Sequence, residues 1–255
     1  MSKVSIIGTG NWGKVLIDKF LQLGVLHLVY GHANRTTLNH LTEKFTDDLD
    51  FLIQDSDAIV VVTPPTSHFT LACRVLAEGK DLFLEKPMAM SSAEAEQLML
   101  FAQRMNVLVM VGHLLCYSDG YAKLTQLPGK PFYAKARFFK KVSDQQIVNS
   151  VWHLGIHMMA VAVALGVPQN QFILETSDNA DFEERTFELH TRDSNDVERV
   201  LIYDFLASKL TDDMLMRECV AFLDALKSRT QPLTNAVHGL ETIRALERIC
   251  SDYKK

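Results

Sequence analysis

The 255-residue chain reads as an α/β protein: a doubly wound parallel sheet, then a smaller α+β domain with a mainly antiparallel sheet. Three observations predict this. The first half alternates short β-branched apolar runs with helical patterns, as repeated βα units with right-handed crossovers do. The unusual residues of that half fall just after the apolar runs, at the carboxyl ends of strands, where open α/β sheets bind ligands. Beyond His113 the alternation stops, and a long apolar helix and turn-linked strands follow. The division is residues 1–113 and 114–255.

In order, Val4-Ser5-Ile6-Ile7 is a buried strand that runs into Gly8-Thr9-Gly10-Asn11-Trp12-Gly13, and Lys14 opens a helical pattern. That is G-x-G-x-x-G between a strand and a helix. Gly8 permits the turn, Gly10 leaves the backbone open to a pyrophosphate, and Gly13 lets the helix pack close to the strand. The helix N-terminus offers N–H groups and a positive dipole end. The same string also fits a glycine turn without a ligand. Its setting, after a strand and before a helix, favours a dinucleotide. Residues 25–30 read as a strand and 36–45 as a short helix. The β-branched run 58–62 fits a parallel strand covered on both faces. Residues 67–78 read as a helix stopped by Gly79, and 82–84 as a strand. Ser91-Ser92-Ala93-Glu94 is a capping box that opens a helix through Met105. Residues 107–111 are the last strand of this half.

In the second half, residues 117–127 read as a helix and 132–142 as a strand. Residues 151–165 are apolar nearly all round, hence a buried helix. Residues 172–176, 186–192 and 197–207 read as antiparallel strands, the last two joined by Arg192-Asp193-Ser194-Asn195-Asp196. Helices at 214–227 and 235–250 close the pattern.

Hydrophobic content of 47% with 22% charged residues is that of a soluble globular protein. The net charge of −5 speaks against a nucleic-acid partner, and Lys140-Lys141 is too short for a basic patch. No signal-peptide pattern precedes Val4, and no apolar run has the length of a membrane span. Cys73, Cys116, Cys219 and Cys250 are scattered without a CxxC pair. The expectation is a cytoplasmic protein with reduced thiols, no metal and no membrane contact.

Several motifs together resemble one family. They are Gly8-x-Gly10-x-x-Gly13, Thr63-Pro64-x-x-x-His68, Glu85-Lys86-Pro87, Gly112-His113-Leu114-Leu115, Trp152-x-x-Gly155-x-His157 and Arg217-Glu218-Cys219. In order and spacing they are similar to the glucose–fructose oxidoreductase / inositol dehydrogenase (Gfo/Idh/MocA) family. Within it, the Gly-His-Leu-Leu-x-Tyr stretch most resembles the nucleotide-sugar 3-dehydrogenase branch that acts on UDP-N-acetylglucosaminuronate. The resemblance implies a Rossmann domain, a second sheet domain that often oligomerises, and NAD(P)-linked oxidation of a sugar or polyol hydroxyl. By position it makes Lys86 the catalytic lysine and His157 the active-site histidine, with Thr63 and Pro64 lining the nicotinamide side. There are three departures. Met158 stands where an acid commonly follows the histidine. His153 stands where Asp or Asn is frequent four positions earlier. The chain is shorter than most relatives, with a reduced second domain.

Hydride transfer needs a base for the hydroxyl proton. Lys86 follows a buried strand, and both burial and an oxidised nicotinamide would lower its pKa. A surface lysine is the alternative. His153 and His157, four apart, would share one helix face. They fit core histidines, a metal pair with no evident third ligand, or a catalytic His157 with His153 as its neighbour. The cofactor set is Gly8, Thr9, Gly10, Asn11, Trp12, Gly13, His32, Asn34, Arg35, Thr63, Pro64, His68, Glu85 and Lys86. Trp12 fits equally beside the pyrophosphate turn or in the core. The acid that holds the ribose 2′-OH in NAD enzymes is absent: Gly31 takes its place, and His32, Asn34 and Arg35 suit a 2′-phosphate, so NADP is favoured over NAD. Apolar residues on both faces of the second sheet predict a homo-oligomer. The reading is an oxidoreductase on a sugar or nucleotide sugar. A catalytically reduced NAD(P)-binding sensor and a reductase of another small carbonyl or imine are the alternatives.

Overall fold

The structure is a computed structural model and describes residues 2–34, 36–139, 151–177, 182–207 and 213–252. Arg35 and residues 140–142 lie outside the described residues. Five strands form the first sheet: β1 (Val4–Ile7), β2 (Leu26–Tyr30), β3 (Ala58–Val61), β4 (Asp81–Glu85) and β5 (Val109–Gly112). Their order is β2-β1-β3-β4-β5, all parallel. β1, β3 and β5 are buried at every position, which is why they read as continuous apolar runs rather than alternations. The connecting helices are α1 (Asn11–Gln22), α2 (Leu49–Gln54), α3 (His68–Ala77) and α4 (Ser92–Met105). The capping box holds in altered form. Ser91 Oγ accepts from the Glu94 amide at 3.2 Å, but the Glu94 carboxylate accepts from the Met90 amide at 3.1 Å, one residue beyond its usual partner. The helix expected at 36–45 is a kinked 3₁₀ segment, Asn39–Lys44, and α2 was not anticipated.

The chain reverses direction in strand order at β1. The link to β2 goes one way, and β3 pairs on the other side of β1. Open α/β sheets bind ligands at such a switch point, outside the carboxyl ends of the strands. Gly8 and Thr63 follow the two strands that flank it.

The second sheet contains β6 (Lys130–Phe139), β7 (Phe172–Ser177), β8 (Glu184–Arg192) and β9 (Glu198–Asp204), in the order β7-β6-β8-β9. β8 is antiparallel to both neighbours, as expected. β7, expected to be antiparallel, runs parallel to β6. The connection between them contains α6 (Ile156–Ala164), and a helical crossover returns the chain in the same direction. One face of this sheet is apolar. Ala134, Ala136, Leu174, Phe187 and Leu189 pack with Met158, Met159 and Val161 of α6. α5 (Asp119–Thr125) follows a 3₁₀ turn and is capped by Ser118.

The chain separates into two compact units, Met1–Gly112 with Glu218–Leu240, and His113–Arg217 with Glu241–Lys255. The expected block 114–255 is therefore not one unit. α7 (Met214–Ser228) and α8 (Ala236–Asp252) are each divided between the two. In the first unit, Phe222 of α7 packs edge-on against Phe83 and Phe20, with centroids 5.6 and 6.5 Å away. A strand-like link joins Thr234 to Val111, whose amide donates to the Thr234 carbonyl at 2.7 Å. No described helix is long and apolar enough to cross a membrane. None of the four cysteines is in a disulfide, and the described residues hold no cluster suited to a metal.

Candidate functional site

The glycine turn is built as its residue types require. Gly8 has φ +121°, and a Cβ there would lie 2.4 Å from the Val62 carbonyl oxygen. A Cβ on Gly13 would lie 2.4 Å from the Gly8 carbonyl oxygen, so the helix closes onto the strand only with hydrogen there. Gly10 differs: no heavy atom stands within 4 Å of where its Cβ would be. That open space lies at the N-cap of α1, which has no side-chain cap and no acid in its first turn. Thr9 is buried, and its Oγ1 makes no hydrogen bond. Unshielded helix amides, an open glycine and a spare hydroxyl suit a dinucleotide pyrophosphate.

Gly31 stands where the ribose-binding acid is usual. Its φ is +156°, and a Cβ would meet Thr9 Oγ1 at 2.6 Å. A side chain at 31, acidic or not, would force Thr9 to shift. Asn34, also left-handed at φ +55°, donates from Nδ2 to the Thr9 carbonyl at 2.8 Å. Its amide is committed to ordering the glycine turn. His32 is exposed and sits edge-on against Tyr30.

After β3, Thr63 Oγ1 pairs with Ser67 Oγ at 2.7 Å, and Pro64 precedes a short 3₁₀ turn. His68 is fully buried. Its ring nitrogens lie 2.8 Å from the Pro87 carbonyl oxygen and 2.9 Å from that of Thr63. Burial lowers its pKa, partly offset by those two carbonyls. With no surface of its own, His68 ties the loop after β3 to the loop after β4 and acts on a cofactor only through them.

Glu85 and Lys86 end β4. The Glu85 carboxylate is buried. Oε1 accepts from the Trp12 indole N–H at 2.6 Å, and Oε2 accepts from the Lys86 amide at 3.1 Å. Gly112 makes the room, since a Cβ there would press on that carboxylate at 2.9 Å. Trp12 is therefore neither core nor loose: its indole links the glycine turn to the strand that carries Lys86. Burial raises the Glu85 pKa, opposed by the Trp12 hydrogen bond and the Lys86 charge. Burial lowers the Lys86 pKa, opposed by the Glu85 charge. A half-buried amine with a lowered pKa beside a strand end is a candidate for proton transfer.

In the second unit the regular helix expected from residue 151 begins instead as a π-type turn, Val151–Gly155. The wider turn breaks the four-residue spacing that would place His153 and His157 one above the other. His153 is exposed, and His157, on α6, lies tilted beside the Phe138 ring at 6.1 Å. Gly155 lets the turn touch Leu174, which a Cβ would meet at 2.5 Å. Met158 is fully buried among the apolar side chains under the sheet, so an acid at that position would have no water and no partner.

Sequence reasoning missed Glu218. It is fully buried on α7, and neither carboxylate oxygen has a hydrogen-bond partner. Phe222, one turn on, lies over Phe83, and Phe83 and Glu85 share a face of β4. This places Glu218 towards Glu85. Burial pushes the Glu218 pKa well up, and the Glu85 charge adds to it. The signal was an acid on the Leu215–Cys219–Phe222 stripe of a helix. The folded protein keeps a proton that the unfolded chain loses above about pH 4.5, so stability falls as pH rises through that range. Glu218→Met should stabilise the protein by about 1–3 kcal/mol at pH 8, the cost of an unsatisfied buried polar group, and flatten the decline. Urea melts at pH 5 and pH 8 test this. A destabilised Glu218→Met at both pH values would refute the assignment.

The site belongs to a class: dinucleotide-binding Rossmann domains with a lysine at the end of the fourth strand. Residues 2–113 match the model of the oxidoreductase family with an NAD-binding Rossmann fold. Over that stretch the chain is similar to the Gfo/Idh/MocA family. It is 36% identical over 101 residues to an oxidoreductase of Formosa agariphila, covering 39% of this chain and 30% of that protein. It is 23% identical over 168 residues to the UDP-N-acetylglucosamine 3-dehydrogenase of Acidithiobacillus ferrooxidans, covering 64% of this chain and 54% of the relative. The matched stretches thus span about half or less of these relatives. The solved structure of that dehydrogenase superposes with a TM-score of 0.84 at 20% identity, over 97% of this chain and 96% of the other. The second domain, expected to be reduced, has a counterpart of similar extent in that fold. The relative's named sugar is UDP-N-acetylglucosamine, not the uronate.

Proposed function

We propose that this protein is an NAD(P)-dependent dehydrogenase or reductase acting on the hydroxyl or keto carbon of a sugar or nucleotide sugar. The observation that carries the proposal is the pairing of two features at one sheet end. An open glycine turn for a dinucleotide is tied, through Trp12 and Glu85, to a half-buried Lys86. The bound nicotinamide supplies the hydride chemistry. Asn11, Trp12 and Gly13 present first-turn amides to the pyrophosphate, and Thr63 and Pro64 line the nicotinamide side. Lys86 takes the hydroxyl proton in oxidation and returns it in reduction. His157 is assigned a share of the proton work by its place in the motif Trp152-x-x-Gly155-x-His157. The likeness to a UDP-N-acetylglucosamine 3-dehydrogenase supports a nucleotide sugar. The test is NAD+ or NADP+ reduction with inositols, neutral sugars and UDP-sugars, followed by absorbance. Turnover is expected. Cofactor binding without turnover on any of them would instead mark a sensor or accessory protein.

The cofactor leans to NADP(H). Gly31 denies the ribose an acid, so nothing at that position repels a 2′-phosphate. His32 and Arg35 are the residues proposed to receive it. Calorimetry should give a lower dissociation constant for NADP+ than for NAD+, and equal or reversed affinities would overturn the preference.

The proposal includes self-association through the second sheet. Its uncovered face carries Ile173, Val200 and Ile202, the last 63% exposed, among ion pairs such as Lys135–Glu175. Light scattering at micromolar concentration should show a dimer or larger species, and Ile202→Glu should dissociate it. A wild-type monomer would exclude this arrangement.

A further inference from the structure

Arg185 stands apart from the other arginines of the second sheet. Arg137 meets Glu175 at 2.8 Å, Arg192 meets Glu198 at 3.7 Å, and Arg199 meets Asp193 at 2.7 Å. Among the described residues no acid lies within ion-pair distance of Arg185. Its Nε is buried and has no hydrogen-bond partner. Glu183 acts on it only at a distance, while burial lowers its pKa.

Its position is as unusual as its isolation. Arg185 pairs with Phe138 across the β6–β8 ladder and shares a strand face with the buried Phe187 and Leu189. It therefore points to the apolar side of the sheet, the side covered by α6. There the guanidinium lies over the Phe138 ring, 4.8 Å from its centroid. His157 lies beside the same ring. A half-buried guanidinium held on an aromatic face, with no counter-ion among the described residues, is costly to leave unpaired. An anionic ligand removes that cost.

We propose that Arg185 and Phe138 form an anion subsite for the substrate, taking an oxyanion, phosphate or carboxylate, carried by the sugar whose hydroxyl reaches His157. The inference rests on the dehydrogenase reading above and adds to it that the substrate is charged. The Arg185 fork offers paired donors to two oxyanion oxygens, and the ring gives the sugar an apolar floor. Two substrate types carry such a group, a nucleotide diphosphate sugar and a uronic acid.

The experiment titrates UDP-N-acetylglucosamine, glucuronate and neutral N-acetylglucosamine calorimetrically into the full chain, wild type and Arg185→Gln. Loss of a charge-assisted pair should weaken one anionic ligand by about 10- to 100-fold and leave the neutral sugar unchanged. The affected ligand identifies the phosphate or the carboxylate as the source. Arg185→Lys, which keeps the charge without the fork, should fall between. If Arg185→Gln does not fold, the lysine variant and competition by pyrophosphate on wild type decide the question. Unchanged affinity for both anionic ligands would overturn the subsite and leave the dehydrogenase reading standing. So would turnover of neutral sugars with no binding of anionic ones. Failure of wild type to bind any sugar would remove both.

Discussion

Lys86→Ala should lose turnover by about a hundred- to ten-thousand-fold, the usual cost of removing a positioned proton-transfer group, while binding cofactor nearly as wild type. The lysine is half-buried at the end of β4, and burial lowers its pKa, which favours the neutral amine relative to an exposed lysine. The base must be neutral to take a proton, so kcat/KM for oxidation should rise with pH through the Lys86 pKa. Glu85→Gln gives a signed second test. The Glu85 charge supports the ammonium form, and removing it should move that rise to lower pH. His157→Ala should reduce turnover by a smaller factor. Steady-state rates across pH, with cofactor affinity by calorimetry, decide among the roles. Near wild-type turnover in Lys86→Ala would remove it as the base. Loss of cofactor affinity alone would make it a binding residue.

The three glycines of the turn should respond in two different ways. Gly8→Ala puts a side chain at φ +121° and 2.4 Å from the Val62 carbonyl oxygen. Gly13→Ala drives its methyl to 2.4 Å from the Gly8 carbonyl oxygen. Backbone strain and overpacking together cost roughly 2–6 kcal/mol for Gly8→Ala, and roughly 1–3 kcal/mol for Gly13→Ala, where only overpacking applies. Both variants should unfold at lower temperature without cofactor. Gly10→Ala meets nothing within 4 Å, and Gly10 has φ −65°, so its melting temperature should not change. Its added methyl should still obstruct the pyrophosphate and weaken dinucleotide binding by about tenfold or more. Calorimetry and thermal melts on the three variants separate the effects. A stable Gly8→Ala, or a Gly10→Ala with unchanged cofactor affinity, would contradict the assignment of the turn.

Much of the fold was legible because local signals agreed with the global one. β1, the glycine turn and α1 form one continuous stretch, and Gly8, Trp12 and Gly13 each answer to a contact found within the first unit. Buried parallel strands leave continuous apolar runs, so β3 and β5 showed themselves. The direction of β7 did not, because a strand's own residues carry no record of which neighbour it joins. The π-type turn before His157 also left no pattern; its Gly155 packs against Leu174, which is distant in sequence.

The sequence by itself determined the first sheet, the glycine turn between strand and helix, and the lysine at a strand end, all of which rest on spacing along the chain. Only the tertiary structure decided how those parts engage. It joined Trp12 to Glu85 across 73 residues, turned His68 from a cofactor residue into a strap between two loops, and returned Glu218–Leu240 to the first unit. It also left Arg185 on an apolar face without a counter-ion among the described residues. The physical reason is common to all four. Burial, and the partner each buried polar group finds, are set by segments far apart in the chain, and no local pattern encodes that distance.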